Sequence, residues 1–94
     1  MQFEIFKQSI IENKIPRELS VHLQALWQDG KGDWGTAHNI IQDLPDDTAS
    51  WIHAYLHRKE GNDGNAAYWY RQANKQFPSS SLDQEWEDIV GALL

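Results

Sequence analysis

The sequence predicts an all-α fold built from five to six short helices. Apolar residues recur every three to four positions in separate segments, turn-forming Gly, Pro, Asp and Asn residues divide these segments, and no stretch alternates like a β-strand. A chain of 94 residues can bury one hydrophobic core and is too short for a second domain. We therefore expect a single helical domain over residues 1–94.

Turn residues set the limits of the first three segments. The first segment, with Phe6 and Ile10 on one face, ends before Pro16. We expect Pro16 among the early residues of the second helix, because proline is well tolerated in a first helical turn. The Gly30-Lys31-Gly32 turn ends that helix, and Asp33 is expected to cap the third.

Boundaries can also be assigned in the second half of the chain. The fourth helix is expected over about residues 48–60, and the fifth from about Ala66 to Phe77, just before Pro78. The stretch from Ser81 to Gln84 fits a capping box. It should open a sixth helix within residues 81–94.

An internal repeat relates two of these regions. Ala25 and Gly32 recur as Ala54 and Gly61, and each copy consists of a helix, a Gly-containing turn and a second helix. Small residues at these positions allow two antiparallel helices to pack closely. We assign two helical hairpins, at about residues 18–45 and 49–78, flanked by capping helices.

The second copy resembles a tetratricopeptide repeat. The residues that carry the resemblance are Trp51, Ala54, Gly61, Asn62, Ala66, Tyr70, Ala73 and Pro78. The resemblance implies a hairpin fold and, on the first helix of the hairpin, a concave face that binds an extended peptide. The stretch over residues 51–61 is also similar to small uncharacterised bacterial proteins of about this length, which implies a bacterial, cytoplasmic protein.

Composition argues against several classes of partner. The formal net charge is −6, and the basic residues are scattered, whereas nucleic-acid binding needs a basic face. No apolar run is long enough to cross a membrane, and the start of the chain does not resemble a signal peptide. With no cysteine, a disulfide or thiolate site is excluded. We expect an acidic cytoplasmic protein without nucleic-acid or membrane partners and without a cofactor.

A stripe on the fourth helix is the first candidate for a functional surface. It consists of Thr48, Trp51, Tyr55 and Arg58, with Lys59 beside it. Two aromatic platforms followed by a cation suit an apolar peptide that carries a carboxylate. The alternative is that Trp51 and Tyr55 pack beneath the first or last helix as ordinary core residues.

Tyr68 and Arg71 form a second candidate patch on the fifth helix. Trp69 and Tyr70 fit the apolar stripe of that helix, which leaves Tyr68 and Arg71 partly exposed. Exposed Tyr and Arg residues are common at protein interfaces, and a homodimer is one interpretation of this patch. Solvated surface is the alternative.

Two histidines form a candidate metal site. His53 and His57 share a helix face at i and i+4, the spacing at which two imidazoles ligate one ion. Glu60 lies one turn further on and His38 can approach from the third helix. The alternative is a structural pair, buried against Ala66 and Tyr70 and hydrogen-bonded to a hydroxyl or a carbonyl.

Two functions follow from these candidates. No catalytic signature is present, so the leading interpretation is a non-enzymatic interaction module that binds a protein segment or a second copy of itself. The second is a small metal- or ligand-binding protein, conceivably a hydrolase, that uses His53 and His57 with Glu60 and His38.

Overall fold

Six α-helices and no strand make up a computed structural model of residues 1–94, which confirms the all-α class. In chain order the helices are α1 (Phe3–Ile11), α2 (Val21–Gly30), α3 (Trp34–Ile41), α4 (Asp47–Lys59), α5 (Asp63–Gln72) and α6 (Leu82–Leu93). None of these helices is both long and apolar enough to cross a membrane.

The helices are organised as two hairpins, with α1 before them in the sequence and α6 after them. Helices α2 and α3 pack along each other, as do α4 and α5, and each pair is joined by a tight turn. The first hairpin lies within the predicted repeat at 18–45, and the second begins at Asp47, two residues before the predicted repeat at 49–78. Helix α4 is central because it also contacts α2, α3 and α6.

Short polar side chains define where five of the helices begin. Asp33, as expected, accepts a hydrogen bond from the backbone N–H of Thr36, and Ser81 accepts one from that of Gln84. Ser20, Asp46 and Asn62 cap α2, α4 and α5 in the same way. Each cap satisfies one backbone donor that the first turn of a helix leaves without a partner.

The second helix begins later than the prediction based on Pro16. Residues 16–19 are not helical, and α2 starts at Val21. Glu18 has a φ of +63°, which is incompatible with a continuous right-handed helix through this region. The serine cap at Ser20, rather than the proline, therefore determines the start.

The fifth helix ends earlier than the apolar pattern indicated. It stops at Gln72 because Asn74 adopts a φ of +61°, with the Lys75 N–H donating to the Tyr70 carbonyl. A left-handed Asn after the last turn is a common helix terminator. Phe77 therefore lies outside α5, is 43% exposed and packs against the Tyr70 ring from an extended segment.

The core lies between α4 and the helices around it. Leu26 from α2, Ile52 and Leu56 from α4, and Ile89 from α6 are fully buried. Helix α1 adds Phe6, whose ring meets the Trp86 ring of α6. Because α4 is covered on several sides, three of its polar residues, Ser50, His53 and His57, are buried, and the two histidines place the candidate site.

Candidate metal centre

Three histidines from two neighbouring helices meet at one point. His53 and His57 lie one turn apart on α4, and His38 reaches them from α3. One ring nitrogen of each lies within 4.8 Å of those of the other two, and the Nε2 atoms of His38 and His53 are 3.1 Å apart. His53 and His57 are buried and His38 is half-buried, so the cluster lies just below the surface. We call these three residues the histidine cluster.

Two tryptophans hold the rings of the cluster in place. Trp34 stacks on His38 at a centroid distance of 4.9 Å, and Trp69 stacks on His53 at 4.0 Å. The Trp34 indole N–H donates to the Leu56 carbonyl at 2.8 Å, which ties the first hairpin to α4. Stacked rings have few alternative orientations, so the donor nitrogens are positioned in advance.

A carboxylate orients the third histidine. Glu60, the C-cap residue of α4, lies with Oε1 2.6 Å from Nδ1 of His57. A hydrogen bond from Nδ1–H to this carboxylate leaves Nε2 as the free nitrogen of the ring. Histidines that bind metals usually have such a second partner, which orients the ring and raises its basicity.

Burial favours the neutral form of two of the three histidines, His53 and His38. It lowers the pKa of His53 to about 4, with further lowering from the charges of His38 and His57. Burial also lowers the pKa of His38, an effect reinforced by His57 and opposed by Glu60. At neutral pH these two imidazoles therefore have unprotonated nitrogens, the form that binds a metal ion.

The structure brings together the four candidate ligands predicted from the sequence. The hydrogen bond to a tyrosine hydroxyl, one of those expected for a purely structural histidine pair, is not among their contacts. Neither His53 nor His57 hydrogen-bonds to Tyr70, whose hydroxyl donates to Glu85 instead. His53 pairs with His38, and His57 pairs with Glu60. All four candidate ligands are thus linked in two hydrogen-bonded pairs.

The aromatic stripe on α4 is covered by the protein's own sixth helix. The Trp51 indole N–H donates to Glu85 Oε2 at 3.2 Å, and Arg58 Nη1 donates to Glu85 Oε1 at 2.8 Å. Arg58 also donates to the Ser80 carbonyl. Glu85 is 2% exposed, so the polar groups of Trp51 and Arg58 that were expected to meet a peptide are bonded to a buried carboxylate of the same chain.

The rest of that stripe is also engaged within the molecule. The Tyr55 hydroxyl donates to Asp29 Oδ2 at 2.8 Å, and Lys59 Nζ donates to Asp29 Oδ1 at 2.9 Å. Tyr55 and Asp29 are each 2% exposed, while Thr48 is half-buried at the start of α4. Trp51 thus bonds to the last helix, as the alternative of packing under the first or last helix expected, whereas the Tyr55 hydroxyl bonds to Asp29 of α2.

The second patch remains on the surface. Tyr68 is 46% exposed, with its ring edge-on to Trp69, and Arg71 is exposed one turn further along α5. Their positions agree with the expectation from the apolar stripe. Their role in partner binding or homodimer formation stays a prediction.

Sequence reasoning did not identify four residues that shape these sites. Neither Trp34 nor Trp69 was expected to contact a histidine, and only the packing of α3 and α5 against α4 places them there. Asp29 and Glu85 are buried acids with no local signal, since a carboxylate on a helix is usually solvated. The one available hint was Trp69, which lies between Ala66 and Tyr70 on the helix expected to face the histidines.

Comparison with known proteins finds no matching family, no similar curated protein and no similar solved structure. The resemblance to tetratricopeptide repeats therefore stays a prediction, and function is argued from the site alone.

Proposed function

We propose that this protein binds one divalent transition-metal ion, zinc in the first instance, through the imidazoles of His38, His53 and His57. The observation that carries the proposal is the convergence of three ring nitrogens within 4.8 Å of one another. Nitrogens around a tetrahedral zinc ion lie roughly 3.3 Å apart when each bond is about 2.0–2.1 Å. The His38–His53 separation of 3.1 Å is already close to that value.

The choice of metal follows from the ligands. Imidazole nitrogen suits zinc, copper and nickel, whereas calcium and magnesium prefer oxygen ligands. Only one carboxylate, that of Glu60, is bonded to the cluster, and it is paired with His57 at 2.6 Å. A three-histidine set with an outer carboxylate is typical of zinc sites.

The arrangement also supports binding without a large rearrangement. The pKa values of His38 and His53 are lowered, and Trp34 and Trp69 stack on these two rings. Metal binding needs no net loss of a proton from His53 near neutral pH. The one Nε2 proton of the His38–His53 hydrogen bond has to move to Nδ1 of the same ring, which is a change of tautomer. The half-buried His38 gives an ion access from solvent.

The experiment is calorimetric titration of zinc into protein that was purified without a histidine tag and treated with a chelator. We expect one ion per chain for the wild type. His57→Gln should weaken affinity by more than about tenfold, the smallest effect usual even for changes in the outer shell. His22→Gln is the matched control, because His22 lies outside the cluster and contacts Asp46 instead.

Circular dichroism of each variant establishes that helicity is retained before affinities are compared. A wild-type protein that remains folded after chelation and takes up no zinc would overturn the proposal. Equal affinity of wild type and His57→Gln would place the ion elsewhere and overturn it as well.

We propose a second function, self-association of two copies of the chain through the exposed patch of Tyr68 and Arg71. It is supported by the exposure of both side chains at i and i+3 on one face of α5. Sedimentation of the wild type and of a Tyr68→Ala/Arg71→Ala variant tests it. A dimer in the wild type that the variant loses supports self-association, and a wild-type monomer at all concentrations contradicts it.

A further inference from the structure

The histidine cluster supplies only three metal ligands. We propose that the bound ion keeps a fourth coordination position open to solvent, and that a small anion such as a carboxylate occupies it. This inference rests on the metal site proposed above. It assigns to that site a class of ligand that comes from outside the chain.

No other side chain completes the coordination shell. The chain has no cysteine, and its fourth histidine, His22, is 2.7 Å from Asp46. Glu60 is the one carboxylate bonded to the cluster, and it lies on Nδ1 of His57. Since a metal would bind the opposite nitrogen of that ring, the Glu60 carboxylate belongs to the outer shell.

Access to the fourth position comes from the side of α3. His53 and His57 are 6% and 8% exposed and face the interior, whereas His38 is half-buried at the edge of the site. The indoles of Trp34 and Trp69 stack on His38 and His53. With two of the three ligands buried and two of the rings covered by an indole, little space remains around the ion, which favours a small ligand over a bulky one.

Charge determines the kind of ligand. Three neutral imidazoles leave the full +2 of the ion uncompensated, and the single outer carboxylate, Glu60, reduces the local charge to +1. In a partly buried site walled by aromatic rings, water screens this charge less than it would in bulk solvent. An anion with an oxygen or nitrogen donor both fills the position and neutralises the remaining charge.

The test uses Co²⁺ as the probe metal, because its visible absorption reports the number and kind of ligands. Full-length protein is loaded with one equivalent of Co²⁺, with binding measured by calorimetry, in a buffer with weakly coordinating anions. Sodium azide and sodium acetate are then titrated separately. We expect each to change the visible spectrum to saturation, with one anion bound per metal.

Two variants separate the possible results. His22→Gln should behave as the wild type does. Glu60→Gln is loaded at a higher Co²⁺ concentration to compensate for weaker binding, and its spectrum should still respond to azide. If only Glu60→Gln responds, Glu60 fills the fourth position and the inference is wrong. If the wild type binds Co²⁺ with no response to either anion, the inference is overturned while the metal site stands. If the wild type binds no Co²⁺, the proposed metal site fails and the inference falls with it.

Discussion

The His53 imidazole stacks on two other rings, that of Trp69 at 4.0 Å and that of His57 at 4.8 Å. Its one hydrogen bond goes to His38. A ring confined in this way cannot turn toward water when it is protonated, and it lies beside two further histidines. The lowered pKa of His53 follows from this placement.

The lowered pKa of His53 predicts acid sensitivity. Its pKa is about 4 in the folded protein and 6.5 in an exposed chain, so only the unfolded state gains a proton between these values. The stabilising contribution is complete above about pH 6.5 and is lost progressively as pH falls from 6.5 to 4, by up to about 3 kcal/mol at pH 4. Urea unfolding of metal-free protein at several pH values measures it.

The control for this prediction is His53→Gln. The variant lacks the titrating group, so its unfolding free energy should fall less between neutral pH and pH 4 than that of the wild type. Parallel pH profiles for the two proteins would contradict the assignment of acid sensitivity to His53.

A matched pair of tyrosines tests the contact between α6 and the second hairpin. The Tyr70 hydroxyl is buried and donates to Glu85, at 2.6 and 2.8 Å to its two oxygens. Tyr70→Phe should lower the unfolding free energy by about 1.5–3 kcal/mol, as is usual for a hydrogen bond to a charged group. Tyr68 lies two residues earlier and its ring is exposed, so Tyr68→Phe should change the unfolding free energy by less than about 0.5 kcal/mol. Equal effects in urea unfolding would contradict this account of Glu85.

At the scale of the elements, α4 has a double role. One side of it contributes His53 and His57 to the histidine cluster. Its other residues bond to acids of neighbouring helices: Tyr55 donates to Asp29, and Arg58 donates to Glu85. Both roles depend on α4 being covered by neighbouring helices. The chain must therefore reverse at the carboxyl end of α4 so that α5 packs back against it, and the turn at Gly61 provides this reversal.

Two glycines near that turn should respond to alanine in opposite directions. Gly61 has a φ of +86°, so Gly61→Ala should destabilise the protein by about 1–2 kcal/mol. Gly64 lies within α5, and a methyl group there would meet no atom within 4 Å. Gly64→Ala should stabilise by up to about 1 kcal/mol through helix propensity. Thermal and urea unfolding measure both, and a stabilising Gly61→Ala would contradict the role of the turn.

At the scale of the whole molecule, the histidine cluster joins the two hairpins. His38 belongs to the first hairpin, and His53 and His57 belong to the second. An ion bound by all three would add a link between hairpins that already share the Trp34–Leu56 and Tyr55–Asp29 hydrogen bonds. Because an unfolded chain does not present this arrangement, metal binding should stabilise the folded state as a whole.

Metal-linked stability gives the last prediction. Free zinc at about 100 times its Kd should raise the unfolding free energy of the wild type by about 2.7 kcal/mol. The same zinc concentration should stabilise His22→Gln equally and His57→Gln much less. Urea unfolding with and without zinc measures the difference. Equal stabilisation of all three proteins would point to ions bound away from the cluster.

How far the sequence leads can be judged from particular residues. The caps at Asp33 and Ser81 and the glycine turn at Gly61 were predicted correctly, because each acts within a few residues of the chain. The start of α2 and the end of α5 were misplaced, because the left-handed conformations of Glu18 and Asn74 interrupt patterns that look helical. Periodicity alone does not reveal such interruptions.

The sequence by itself determined the all-α class, the two hairpins and the shared face of His53 and His57, since helix periodicity, caps and turns are local properties. Only the tertiary structure decided what those faces meet. It placed His38 and the two tryptophans on the histidines, and it covered Trp51 and Arg58 with Glu85 of α6. The physical reason is that a polar face is buried only if another helix, distant in sequence, packs on it. The spacing of residues along one helix does not indicate which helix that will be.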